Sequence, residues 1–83
     1  NLSIVSSTEL DLVKIYPNPV NSILNIGRSS EKYDIEIYTL TGQKLNKYLN
    51  VSKIDMSLYG NGIYLIKISD QNSISIRRII KID

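Results

Sequence analysis

Gly60-Asn61-Gly62-Ile63-Tyr64-Leu65-Ile66-Lys67-Ile68-Ser69 is the stretch whose reading decides the fold. A glycine pair opens it, and three isoleucines follow within the next seven residues. A run this short and β-branched, bounded by turn residues, predicts a strand buried on part of both faces. At period two, Tyr64, Ile66 and Ile68 share one side while Ile63, Leu65 and Lys67 share the other. We read it as the central strand of a small all-β domain. Nothing in the run offers catalytic chemistry, so function must lie in what the fold presents.

Working outward, composition supports sheet over helix. The 83 residues hold fifteen isoleucines, nine leucines, four valines and six tyrosines, and no alanine, phenylalanine, tryptophan, histidine or cysteine. That supplies one modest core in one domain, and the β-branched excess without alanine favours strands. No apolar run approaches the ~20 residues needed to span a bilayer. With no signal peptide in view, the chain reads as cytosolic or as a piece of a longer exported protein. The net charge of +2 is unevenly spread: residues 1–40 carry −2 and residues 41–83 carry +4. The excess is too mild, and too poor in interleaved aromatics, for a nucleic-acid surface.

Asn1 to Asp11 reads as a tether to an upstream domain, with Ile4 and Val5 the only candidates for an extra edge strand. The domain then runs over 12–83. Leu12–Tyr16 is a first strand, stopped by Pro17-Asn18-Pro19, because proline fixes φ and lacks a donor. Ser22–Ile26 is the second. Tyr33–Tyr38 alternates, with Tyr33, Ile35 and Ile37 on one face and Asp34, Glu36 and Tyr38 on the other. Thr39–Gln43 is a hairpin turn with Gly42 suited to positive φ. Lys44–Leu49 returns with Leu45 and Leu49 inward unless a bulge intervenes, and Val51–Asp55 is a further short strand. Met56–Tyr59 crosses to the glycine pair. Ser73–Ile82 ends the chain. Seven short strands at near-regular spacing predict an all-β fold: an Ig-like, seven-stranded antiparallel β-sandwich with Greek-key connections.

The last strand carries the most pointed expectation. Period two places Ile74, Ile76, Ile80 and Ile82 on one face with Arg78 at the rim, and Ser75, Arg77, Ile79, Lys81 and Asp83 on the other. Apolar-in reasoning puts the first set against the core and leaves Ile79 exposed between Arg77 and Lys81. A bulge near Arg77–Arg78 is the rival, turning Ile79 inward and Ile80 outward.

No catalytic residues emerge. Without histidine or cysteine, Ser-His-Asp and Cys-His catalysis and the usual zinc sites are excluded. Asp34 and Glu36 lie side by side on one strand face, but two carboxylates are too few for calcium and read as a solvated face beside lysines. Gly60 and Gly62 precede a strand rather than a helix and are no phosphate loop. No cofactor or metal is expected, and the domain reads as no enzyme.

Four segments in register resemble a known family. Ile15-Tyr16-Pro17-Asn18-Pro19 looks like the opening motif of the type A C-terminal sorting domains of type IX secretion in Bacteroidota. Ile37-Tyr38 to Gly42-Gln43-Lys44-Leu45 resembles its strand, turn and return strand. Ile54-Asp55-Met56-Ser57-Leu58, followed by Gly60-Asn61-Gly62-Ile63-Tyr64, resembles its central segment. Arg78-Ile79-Ile80-Lys81-Ile82 resembles its basic, isoleucine-rich ending, where the family often has lysine near Arg77 and Arg78. The resemblance implies a secretion signal at the end of a larger cargo that crosses the periplasm and reaches the cell surface or medium. Its implied partners are the outer-membrane type IX translocon, a shuttle protein and a sortase-like peptidase cutting within 1–11. The implied recognition element is Arg77, Arg78, Ile79, Ile80, Lys81 and Ile82. Of these, Arg77, Ile79 and Lys81 are expected to touch the machinery, and Ile80 and Ile82 to hold the strand down. The competing reading is an Ig-like spacer or a carbohydrate-binding accessory module, which should expose an aromatic platform.

Overall fold

The computed structural model describes residues 12–27, 31–71 and 73–83, so residues 1–11, where a tether with its cleavage region or an Ile4–Val5 edge strand is expected, lie outside the described residues. The strands are β1 (Ile15–Tyr16), β2 (Ile23–Ile26), β3 (Tyr33–Thr39), β4 (Lys44–Val51), β5 (Lys53–Asp55), β6 (Gly62–Ser69) and β7 (Ile74–Lys81). Two antiparallel sheets form, a three-stranded one in the order β1-β2-β5 and a four-stranded one in the order β4-β3-β6-β7. The first predicted strand pairs only at its end, over Ile15 and Tyr16. The chain changes sheet at Ser52, whose carbonyl accepts from Ile26 N, and again through Met56–Asn61. This is the expected seven-stranded, Ig-like sandwich.

The core lies between the sheets. Leu24 and Ile26 from β2 and Ile54 from β5 meet Ile35 and Ile37 from β3, Ile66 and Ile68 from β6 and Ile79 from β7, with Val20 and Met56 filling the flanks. Every strand donor obeys period two, as a sheet with one buried face requires. The central run behaves as read: Ile66 and Ile68 are buried, Tyr64 packs on the core margin, and Ile63 is exposed on the opposite side.

Two inward assignments are corrected. Leu45 and Leu49 face solvent, Leu49 with 64% of its surface free, while Tyr48 and Val51 pack against the core. Register shifts opposite Tyr33/Ile35 and Ile37/Tyr38 insert extra residues into β4, and Asn50 sits in the left-handed region at φ 58°. Such bulges reset which residues point inward. The second correction is larger. Ile74, Ile76, Ile80 and Ile82 are exposed, at 56%, 61%, 40% and 45%, whereas Ile79 and Lys81 are each only 1% exposed. No bulge causes this, because β6 and β7 pair without interruption from Gly62↔Lys81 to Ser69↔Ile74. The strand simply has the opposite phase: Tyr64 lies opposite Ile79 and Ile68 opposite Ser75, so the buried face of β6 dictates that of β7. Polar residues survive inward because each is bonded. Arg77 Nη1 donates to Val13 O at 2.6 Å and its Nε to Ser75 Oγ at 3.1 Å, and Lys81 Nζ reaches Asp83 Oδ1 at 2.9 Å.

On the outer face of the four-stranded sheet, Glu36 is paired across strands with Lys47 and Lys67. Its carboxylate lies 3.5 Å from Lys67 Nζ, 3.6 Å from Lys44 Nζ and 3.7 Å from Lys47 Nζ, and accepts from the Tyr38 hydroxyl. The Tyr38 bond, reinforced by Lys44 and Lys67 against partial desolvation, lowers the Glu36 carboxyl to about 2, and the same bond raises Tyr38.

Two outcomes follow from this packing. Ile37→Ala should lose about 2–5 kcal/mol of unfolding free energy, against a total of roughly 4–12 kcal/mol for a domain this size. Ile76→Ser on the outer face should stay within about 0.5 kcal/mol of the parent. Urea unfolding decides it, and equal losses would mean that β7 has been phased wrongly. For Glu36 the folded carboxyl is depressed, so its stabilisation is full above the unfolded value of ~4.3 and is lost as pH falls toward about 2. Carbon-detected NMR titration should place its midpoint near 2, and Glu36→Gln should flatten the stability decline below about pH 4.5. A midpoint at the ordinary glutamate value would show that the Tyr38 hydroxyl and the lysine cluster do not hold the carboxylate.

Candidate recognition surface

β7 is an edge strand, and half of that edge is closed by the Pro17–Val20 segment. Both X–Pro bonds here, Tyr16–Pro17 and Asn18–Pro19, are cis. Asn18 clasps the β7 backbone with both ends of its side-chain amide: Nδ2 donates to Arg78 O at 3.2 Å, and Oδ1 accepts from Ile80 N at 2.9 Å. Val20 continues the clasp in a parallel bridge to Lys81, its N donating to Ile80 O at 2.8 Å and its O accepting from Ile82 N at 2.9 Å. An asparagine amide can stand in for a peptide group, offering one donor and one acceptor in one plane. The prolines set the path that delivers it, since neither has an N–H of its own to satisfy.

The six terminal residues expected to form one recognition element therefore divide. Arg78, Ile80 and Ile82 are exposed on the outer face beside Ile74 and Ile76. Ile79 is core, Lys81 is buried with its ammonium on Asp83, and Arg77 ties β7 to Val13 at the start of the domain. Among the described residues Arg78 makes no ion pair. Opposite β7 on the same face lie Ile63, Leu65 and Lys67. Together these make an apolar strip carrying cations. Apolar-in reasoning assigns alternate isoleucines to the core and hides this strip; the pairing Tyr64↔Ile79 fixes the phase.

The remaining motif positions are structural. Gly42 has φ 98° in the β3–β4 turn, where its N donates to Thr39 O at 3.0 Å, so a side chain there would be strained. Gly62 opens β6 opposite Lys81, and the Gly60 carbonyl accepts from Tyr64 OH at 2.7 Å. Tyr64 stacks edge-on with Tyr59, whose hydroxyl lies 3.0 Å from that of Tyr48. Burial and this contact push Tyr48 up to about 12. Tyr16 is exposed, its carbonyl accepting from Asn25 Nδ2, but the other tyrosines are half-buried. Asp55 caps the crossover by accepting from Ser57 N at 2.9 Å, and Ser57 lowers its carboxyl. Asp34 accepts from Asn50 N, so each of the paired carboxylates is engaged within the sheet. Among the described residues no three His, Cys, Asp or Glu side chains gather to hold a metal.

The fold is shared with PorZ, described as an essential bacterial surface component of the type-IX secretion system of Porphyromonas gingivalis. The TM-score is 0.69 at 23% identity, covering 94% of this chain and 12% of that one. This chain therefore spans only a small part of that protein, and the likeness speaks for the fold alone. None of the curated proteins matches the chain. Residues 14–82 match the secretion system C-terminal sorting domain, from just before β1 to just past β7. The chain belongs to that family, whose members are C-terminal signals for type IX secretion.

Proposed function

We propose that this domain is a non-catalytic address on an exported cargo, read by the outer-membrane translocon and its shuttle protein through the outward face of β7. The cargo passes through the periplasm first, and a sortase-like peptidase cuts within residues 1–11 once it is outside, where an extended backbone would suit a protease. The observation that carries this reading is the exposed outer face of β7 and the residue after it, where Ile74, Ile76, Arg78, Ile80 and Ile82 all face solvent. Scattered exposed isoleucines need no explanation, but five consecutive outward positions along β7 and just past its end, four of them isoleucine, make a contiguous patch of the kind found at interaction sites. The reading modifies the expected element: Arg78, Ile80 and Ile82 serve recognition, while Arg77, Ile79 and Lys81 hold the strand in place. The accessory sugar-binding alternative is disfavoured, because among the described residues Tyr16 is the single well-exposed tyrosine.

A periplasm-directed fluorescent protein fused ahead of the chain should leave a type IX-competent cell and stay in the periplasm of a translocon-null strain. Arg78→Ser with Ile80→Ser should abolish that export while shifting the melting temperature by only a few degrees. Equal export from both strains, or normal export of the double variant, would overturn the assignment.

A further inference from the structure

The clasp leaves the other half of the β7 edge open. Arg78, Ile80 and Ile82 direct backbone groups sideways to Asn18 and Val20, and at period two Ile74 and Ile76 direct theirs the same way. Among the described residues, the N–H and C=O of Ile74 and of Ile76, together with Arg78 N–H, have no strand beside them. The other edges of the sandwich are blunted by ordinary means. β1 and β5 are two and three residues long, and β4 carries Lys44, Lys47 and two register shifts. The Ile74–Arg77 half of β7 is free of bulges, apolar on its outer face and in unbroken register with β6.

We propose that this half-edge takes an extended strand of a partner protein by strand addition, and that the strand carries apolar residues and a carboxylate at alternate positions along one face. The charge pattern selects that occupant. Arg78 stands on the outer face next to the open backbone without an ion pair among the described residues, and Lys67, opposite Ile76, shares the single Glu36 carboxylate with Lys44 and Lys47. An added strand places its side chains beside Ile74, Ile76 and Arg78, so valine- or isoleucine-like residues fit the first two and a carboxylate fits the third. A second copy of this chain fits poorly. Pairing β7 with itself about Ile76 sets Arg78 beside Ile74 of the copy and offers neither arginine a carboxylate. That the partner belongs to the secretion machinery rests on the function proposed above; the edge and its preference do not.

The test uses the whole 83-residue chain and a short end-blocked peptide, Glu-Thr-Val-Thr-Val, whose glutamate and two valines share one face at period two, with the same peptide carrying lysine in place of glutamate as the control. By NMR, the glutamate probe should shift the amides of Ile74, Ile76 and Arg78 and slow their exchange with solvent. The effect should weaken in about 0.5 M salt, where charges are screened within a few ångströms, and the lysine probe should do neither. Ile76→Pro removes an N–H that points away from β6 and should abolish binding. Arg78→Glu, at an exposed position, should reverse the preference to the lysine probe with the fold intact. The proposal is overturned if neither probe engages these amides, if both engage them equally, if the amides are already protected in the free chain, or if the chain dimerises through them. No translocon enters this measurement. Probe binding with failed export would overturn the proposed function and leave the edge standing, whereas export without probe binding would overturn the edge alone.

Discussion

The clasp between Asn18 and the β7 backbone is the constraint on which the rest of the molecule depends. It joins residues 60 and 62 positions apart, and with Arg77 on Val13 it ties the first described segment to the last. The three-stranded sheet has only two- to four-residue strands and cannot hold itself together by pairing alone. It is held by the shared core and by this lateral seam. Closing such a loop is entropically unfavourable until the last strand is in place. The sandwich is therefore finished only when the C-terminal residues are available, and the outward face of β7 takes its shape in the same step. An address built this way presents its surface only on a domain that has folded.

Much of this was legible from the chain. The β3 and β6 faces followed from simple alternation, because each strand is flanked on both sides and its inward isoleucines have no alternative environment. The turn at Gly42 followed from its need for positive φ. Two strands misled, and both are edges. In β4 the left-handed Asn50 accommodates an inserted residue, and no pattern of leucines reveals where an insertion falls. In β7 the rule that isoleucines face inward fails because burial of apolar residues is a tendency with many exceptions on the surface. Its inward positions instead hold Ser75, which fits beneath an edge, the core residue Ile79, and two long cations whose heads find Val13 O and Asp83. The role of Asn18 was invisible for another reason: a side-chain amide mimicking a strand leaves no periodic mark.

Charge then separates a surface that merely tolerates isoleucines from one that uses them. Glu36 takes up three lysines, and Asp34 is committed to the Asn50 amide, so the carboxylates of the outer face are spent within the sheet. The cationic excess that remains sits with the apolar strip. Exposed ion pairs add little stability singly, and this cluster acts more as a fixed field than as a brace. A positive field beside apolar side chains repels a second copy at long range while leaving contact with an acidic surface favourable.

That combination resolves an apparent conflict in the fold. An edge strand bearing three exposed isoleucines, with a fourth just past its end, is the arrangement that soluble β proteins avoid, since any flat strand can add to it. Here the hazard is halved by the clasp, which occupies the backbone groups from Arg78 O onward, and is biased by charge against self-association. What survives is a short, directional stretch of backbone that, among the described residues, is unpaired and ends at an arginine without an ion pair. A stretch of that length pairs weakly with an arbitrary strand, because few hydrogen bonds form for the side-chain and backbone entropy lost. Useful affinity then requires matching apolar and acidic side chains as well, so the shortness of the open edge is itself what makes it selective.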